Sequence, residues 1–300
     1  MHDIHNDFEI ENILEENRKR HEIINAPYNP VTGLGAVGER KKISIKDSPI
    51  GDMYLPVELI KENLFIRRLA KYGFKGYIIR FIKEVEYSEE ALNQLWIEFI
   101  KYRIIYDFEY WAYSFIFIKD KVSPKDIPFK LNRAQRRVLN KLEKLRKAGK
   151  PIKFILLKAR QWGGSTLVQI YMLWIMLVHR RNWNTVICGD VETQSRNVRA
   201  MITKALNKYP SYLLGETVKF TPFEGSSKNK VIQNTNCVVS IGSFQKPDTL
   251  RSGDISGAHL TEIGLWRATP GKKPEDLIQS ISGSIYDTAY TILGLSLIHI

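Results

Sequence analysis

Residues 153–178 read Lys-Phe-Ile-Leu-Leu-Lys-Ala-Arg-Gln-Trp-Gly-Gly-Ser-Thr and then Leu-Val-Gln-Ile-Tyr-Met-Leu-Trp-Ile-Met-Leu-Val. The apolar run Phe154–Leu157 predicts a buried parallel strand, Ala159–Gly164 a short turn, and the apolar stretch beyond it a helix. A strand passing through a glycine turn into a helix is the layout of a phosphate-binding loop. Exposed N–H groups at the helix start and the positive end of its dipole both favour an anion there. Gly163 and Gly164 let the backbone approach phosphates, and Ser165 and Thr166 offer hydroxyls to a magnesium ion.

The usual pattern, G-x-x-x-x-G-K-[ST], would put glycine at 158 and lysine at 164; this chain has Lys158 and Gly164. From the mouth of the loop Lys158 still reaches β/γ-phosphates, with Arg160 beside it. The plain alternative is an ordinary glycine turn between a strand and a helix.

The 300 residues have room for one large domain, or one domain and an appendage. With 44% hydrophobic and 26% charged residues, the composition is that of a globular chain and not of a disordered or fibrous one. Lys+Arg 45 against Asp+Glu 32 leaves +13, which suits a polyanionic partner such as nucleic acid, or merely a solubilising surface. Cys188 and Cys237 lie in strand-like runs without metal-ligand spacing, which predicts buried thiols in a reducing compartment. His259, beside the end of a predicted strand, reads as a satisfied structural histidine. Met1–Arg20 is charge-laced and carries no signal-peptide run; Leu167–Val178 is too short for a bilayer and predicts a buried helix.

Residues 8–24 predict an exposed charged helix, and 26–56 a loop. Gly33–Gly38 matches G-x-G-x-x-G, but Pro27, Asn29 and Pro30 stand where a strand is needed and Glu39–Lys42 where an apolar helix is needed. Residues 56–119 predict helices whose aromatics (Trp96, Phe99, Tyr102, Tyr106, Phe108, Tyr110, Trp111, Phe115, Phe117) favour a core over base stacking. Pro128–Gln135 opens a basic helix through Lys147, capped by Asn132. The Gln135 amide offers the donor and acceptor that adenine needs, or is an ordinary helix-face residue. Further strands are predicted at Thr185–Gly189, Cys237–Gly242, Gly257–Leu260 and Ala289–Gly294, with a basic helix at Thr193–Tyr209 and a turn-rich stretch at 215–236. The alternation predicts an α/β fold with a mostly parallel sheet flanked by helices.

A phosphate loop needs a carboxylate at the end of a neighbouring strand. Glu262, just after Gly257–Leu260, suits a general base or water-positioner, or is a surface glutamate. Thr261 stands where an aspartate often does, leaving Ser165 as main magnesium ligand and Thr261 at most a hydrogen bond to a coordinated water. Arg251, in the Asp248–Asp254 loop, either reaches a nucleotide in a neighbouring subunit or is a surface cation.

Taken in order, Pro128–Gln135, Lys158–Thr166, Lys246–Gly253 and Ala258–Trp266 resemble the ATPase half of a large terminase subunit, the motor that packages DNA into tailed-phage capsids. The matching pieces lie between Tyr110 and Gly294, and the displaced lysine is a known variation of that family. The resemblance implies a P-loop NTPase fold with ATP and Mg2+ as cofactors. It implies Gln135 at the adenine and Lys158, Arg160, Gln161, Trp162 and Gly163–Thr166 around the phosphates. Glu262 would be the catalytic carboxylate and Arg251 an arginine supplied in trans. Implied partners are double-stranded DNA, the capsid portal and the small terminase subunit, in a homo-oligomeric ring in the host cytoplasm, with no membrane and no place in the mature virion.

The expected organisation is a helical and loop-rich region over 1–120, a P-loop ATPase domain over 121–294 that is incomplete at its C-terminus, and no nuclease domain. Residues 295–300 resemble read-through of a sequencing adaptor, with a short apolar strand as the alternative. Two rival functions stand beside the motor. One is another P-loop translocase or helicase, against which Gly164 argues; the other is a non-catalytic DNA- or capsid-binding remnant.

Overall fold

The computed structural model describes residues 37–82, 87–120, 122–158, 162–247, 254–285, 287–288 and 290–298, with positions 15, 18 and 29. Two compact units emerge: Met1–Ile116, Pro128–Arg137 and Pro210–Gly215 form the first, and Phe117–Ile127, Val138–Tyr209 and Glu216–Ile300 the second. The sequence reading draws one cut after 120; the chain instead returns to the first unit twice. The helix expected at 8–24 and the Gly33–Gly38 motif lie almost wholly outside the described residues.

In the first unit β1 (Arg40–Ser44) and β2 (Asp52–Pro56) form an antiparallel hairpin in the stretch expected to be loop. Ile43 and Ile45 are buried beneath the charged residues of β1, while Met53, Tyr54 and Leu55 are buried in succession along β2. Four helices follow: α1 (Val57–Glu62), α2 (Leu64–Phe81), α3 (Glu89–Tyr106) and α4 (Phe108–Phe115). Asn63, Ser88 and Asp107 cap α2, α3 and α4 by accepting from the N–H of Ile66, Ala91 and Tyr110, each cap contributing about 1 kcal/mol. Asp107 also takes a two-pronged bond from Arg40 at 2.7 and 2.8 Å, tying the hairpin to the helices. Trp96, Phe99, Phe108, Tyr110, Trp111 and Phe115 are buried, as their spacing predicts.

The second unit is built on a seven-stranded sheet. Short β3 (Phe117–Lys119) and β4 (Asp126–Pro128) lie apart from it, and α5 (Arg133–Lys147) leads in. The sheet comprises β5 (Ile152–Lys158), β6 (Thr185–Gly189), β7 (Phe220–Phe223), β8 (Ser226–Ile232), β9 (Cys237–Ser243), β10 (Gly257–Leu260) and β11 (Ile292–Ile298), ordered β5-β11-β10-β6-β9-β8-β7. Every strand expected from the sequence lies in the parallel part, β5-β11-β10-β6-β9. The run Phe154–Leu157, expected to be buried, is not: among the described residues β5 borders the sheet with a strand on one side only, and Ile155 and Leu157 are exposed. The β7–β8 hairpin, which extends it antiparallel, arises in the stretch expected to be turns. The last strand runs past Gly294: its backbone pairs with β5 from Ile292↔Ile152 to Ile298↔Lys158.

The helix after the loop, α6 (Gly164–Trp174), continues as a π-turn over Ile175–His179 and is buried from Leu167 to Leu177. With α7 (Glu192–Leu206) it lies on one face of the sheet. On the other face α8 (Pro274–Gly283) sets Leu277 and Ile281 against Cys188, Ala258, Leu260 and Leu293. Both cysteines are free and buried, as expected. Among the described residues no helix is long and apolar enough to cross a membrane.

Candidate nucleotide-binding site

The parallel strands end at one edge of the sheet, the edge where open α/β sheets bind ligands. At that edge β5 delivers Lys158. Ala159, Arg160 and Gln161 lie outside the described residues; the chain is described again from Trp162. Gly163, in the left-handed region at φ 84°, begins α6 with no side-chain cap and no acidic residue in the first turn. Among the described residues, therefore, no side chain caps the helix from its N-cap position and no carboxylate stands in its first turn to neutralise the dipole's positive end.

Gly164 explains the displaced lysine. A Cβ there would lie 2.8 Å from Trp162 Cζ2 and 3.0 Å from Lys158 Cδ. The lysine stem and the indole ring both cross the helix start, filling the volume that a side chain at 164 would need. The cation thus arrives from the strand instead of the helix. The Thr166 hydroxyl turns away, towards Met201 Sδ of α7 at 3.8 Å. Thr261 is buried. Ser165 remains half-exposed in the first helical turn, where one hydroxyl suits a magnesium ion that takes its other ligands from phosphates and water. Among the described residues no three His, Cys, Asp or Glu side chains form a metal cluster.

β10 supplies the second element. Thr261 N–H donates to Cys188 O at 2.8 Å, prolonging the sheet by one residue, and Glu262 then turns to φ 57°, ψ 39°. A non-glycine residue in this left-handed region costs about 1–2 kcal/mol. The local sequence explains why it is held there. Immediately afterwards a 3₁₀ turn, Ile263–Leu265, drops Ile263 and Trp266 into the cluster under α8, where Trp266 stacks on Phe244 at 5.1 Å. The half-buried Glu262 is thereby fixed at the same sheet edge as Lys158, with β11 between their strands.

His259 is fully buried and its Nδ1 lies 2.7 Å from Gln169 Nε2, but its Nε2 is buried with no hydrogen-bond partner among the described residues, so it is only half satisfied and not the satisfied histidine expected. Burial, with the Lys158 cation adding to it, holds the imidazole down to about 3, so it is neutral at physiological pH. This bond joins α6 to β10, the strand that leads to Glu262. Sequence reasoning missed Gln169; its signal was a lone amide within an otherwise apolar helix.

Other expected residues are placed differently. Gln135 belongs to the first unit, where it closes a reciprocal cap with Asn132: its Oε1 accepts from Asn132 N–H and its own N–H donates to Asn132 Oδ1, both at 2.9 Å. Arg251 lies outside the described residues. The basic face of α7, a candidate for DNA contact, is internally engaged. Arg196 pairs with Glu192, Lys204 and Lys208 with Asp126, and Arg199 donates to the carbonyls of Ser227 and Lys228.

Structural comparison finds similarity to the HK97 bacteriophage large terminase, at 20% identity and TM-score 0.49, over 63% of this chain and 36% of that one. The Thermus phage P74-26 large terminase ATPase domain aligns at 14% identity and TM-score 0.31, over 51% of this chain and 62% of that one. The large terminase of another thermophilic bacteriophage, solved in complex with ADP, aligns at 11% identity and TM-score 0.35, over 52% of this chain and 38% of that one. The chain thus spans 36% of the length of the HK97 protein. No protein-family model matches the sequence, and no curated protein does.

Proposed function

We propose that this chain is the ATP-hydrolysing part of a viral DNA-packaging motor, with the triphosphate seated in the loop between β5 and α6. The observation that carries the reading is the pairing of two turns on one sheet edge. One is a helix start without a side-chain cap, crossed by Lys158; the other is a strained turn that fixes a carboxylate, Glu262. Lys158 and the first N–H groups of α6 hold the β- and γ-phosphates, with Arg160, Gln161 and Trp162 completing the loop. Glu262 orients the attacking water and takes its proton. A magnesium ion would be held by Ser165, with Thr261 at most through a coordinated water, and would neutralise phosphate charge. Gln135 reads adenine, and Arg251 meets the transition-state charge from a neighbouring subunit.

Duplex DNA is gripped electrostatically, in a homo-oligomeric ring on a capsid portal and with a small terminase subunit as partner. The work is done in the host cytoplasm. The test is ATP turnover by the whole chain and its Glu262→Gln variant, alongside the melting shift produced by ATP. Turnover lost with the shift retained supports the reading. Equal turnover in the variant removes Glu262 from it. Absence of any ATP shift in a folded chain that binds DNA favours a non-catalytic binding module.

A further inference from the structure

The first unit carries a cation cluster that the nucleotide site does not use. Helix α2 holds Arg67, Arg68, Lys71, Lys75 and Arg80 and no acidic residue. In a straight helix the thirteen steps from Arg68 to Phe81 would span about 20 Å. Yet the Arg68 guanidinium lies 4.4 Å from the Phe81 ring centroid, because Gly73, at φ 73°, breaks the helix and folds its second half back on the first. The Cβ of any other residue at 73 would lie 2.8 Å from Lys46 O of the β1–β2 turn, which holds the break in place.

The fold-back gathers the cations onto rings. Arg80 lies 4.6 Å and Lys71 5.1 Å from the Tyr72 centroid, and Lys75 5.1 Å from that of Tyr87. Tyr72 and Tyr77 in turn meet Phe81 at 5.6 and 5.0 Å. Arg68, Lys71, Lys75 and Arg80 pair with no carboxylate among the described residues, unlike the cations of α7. Ile79, Phe81 and Tyr87 are exposed beside them.

We propose that this cluster binds the phosphate backbone of double-stranded DNA without reading its sequence. Unpaired positive charge calls for a polyanion, and the rings that hold the cations have already fixed side chains that binding would otherwise have to order. Because cations lie over those rings, charge and not an open π-face meets the partner, which points to phosphates and away from base stacking. The choice of duplex DNA as the polyanion rests on the motor reading; the cluster itself does not.

The experiment is fluorescence anisotropy of a short labelled duplex against the nucleotide-free whole chain, across a salt series. A Lys71→Gln/Lys75→Gln/Arg80→Gln variant, checked by its melting curve, should bind at least tenfold more weakly. Its plot of log K against log salt should be shallower by about 0.9 per cation removed. Lys141→Gln/Lys144→Gln, exposed on α5, should change neither, and Arg80→Lys alone should keep the slope. Unchanged affinity and slope in the triple variant overturn the proposal, as does an equal loss in the α5 control. So does preferential binding of an oligothymidine that depends on Tyr87 and not on the cations. The ATP melting shift, read on the same samples, reports separately on the nucleotide site: duplex binding with no ATP shift sinks the motor reading alone.

Discussion

Two turns leave the same edge of the sheet in the same left-handed conformation, and only one does so freely. After β5 the residue at φ 84° is Gly163, for which the region is open; after β10 the residue at φ 57° is Glu262, for which it costs about 1–2 kcal/mol. Glycine at 262 would satisfy the backbone and still let Ile263 and Trp266 reach their cluster. What glycine would not supply is a carboxylate. On the proposed reading, the backbone N–H groups would work at the turn after β5, where Gly164 leaves its space to Lys158 and Trp162, while at the end of β10 the side chain would work and the backbone bears strain for it.

The sharpest way to break the contrast is chemical. Glu262→Gln keeps the backbone demand and removes the proton acceptor, so ATP turnover should fall by about 10²–10⁴-fold while the ATP-induced melting shift persists. If turnover survives, the strain at 262 serves only the entry of Trp266 into the core, and the two turns differ in nothing functional.

The loop side is tested by undoing the exchange of lysine and glycine. Gly164→Lys restores the commoner pattern at that position but drives a side chain into Trp162 Cζ2 and Lys158 Cδ. Overpacking of this kind costs about 1–3 kcal/mol, and it should displace Lys158 from the helix start. The expected result is a lower melting temperature and a lost ATP shift. A retained shift would mean that the lysine works equally well from either end of the loop.

How far these turns were legible in the sequence depends on what was apolar. The parallel strands and α6 announce themselves as apolar runs, and Glu262 is found because it follows one; what the run Phe154–Leu157 did not show is that β5 borders the sheet and leaves Ile155 and Leu157 exposed. The hairpins do not announce themselves. β8, Ser-Ser-Lys-Asn-Lys-Val-Ile, runs five polar residues before its two apolar ones and so shows no alternation, while β1 and β2 are hidden among glycine and proline. Charge was legible only as a total. Nothing in the sequence separates the cations of α7, engaged by Glu192, Asp126 and two backbone carbonyls, from those of α2, which rest on rings brought together by a break at Gly73. The glutamine expected at adenine also closes a helix cap, a use that its spacing of three from Asn132 already allowed.

The link between the two turns should show itself in acid. His259 is neutral in the fold down to about 3, whereas an unfolded histidine protonates near 6.5. Between those values the unfolded chain binds the extra proton, so stability that is complete above pH 6.5 is lost as pH falls. His179, held at about 3 by burial and by Arg146 and Arg180, adds a second such site. By pH 5 each contributes a loss of about 2 kcal/mol. Urea midpoints at pH 7 and pH 5 should therefore converge in His259→Asn by about half relative to the parent. An undiminished pH dependence would place the protonation elsewhere.

The smallest effect separates strain from chemistry at 262 itself. Glu262→Gly relieves the left-handed cost of about 1–2 kcal/mol, but glycine gives back roughly 0.5–1 kcal/mol through its freer unfolded chain. Compared with Glu262→Gln, which lacks the same carboxylate, the glycine variant should be more stable by about 0.5–1 kcal/mol, with both equally inactive. That difference is measurable as a shift in urea midpoint at constant m-value. If glutamine and glycine unfold together, the turn after β10 is as free as the turn after β5, and the carboxylate is held there at no cost to the fold.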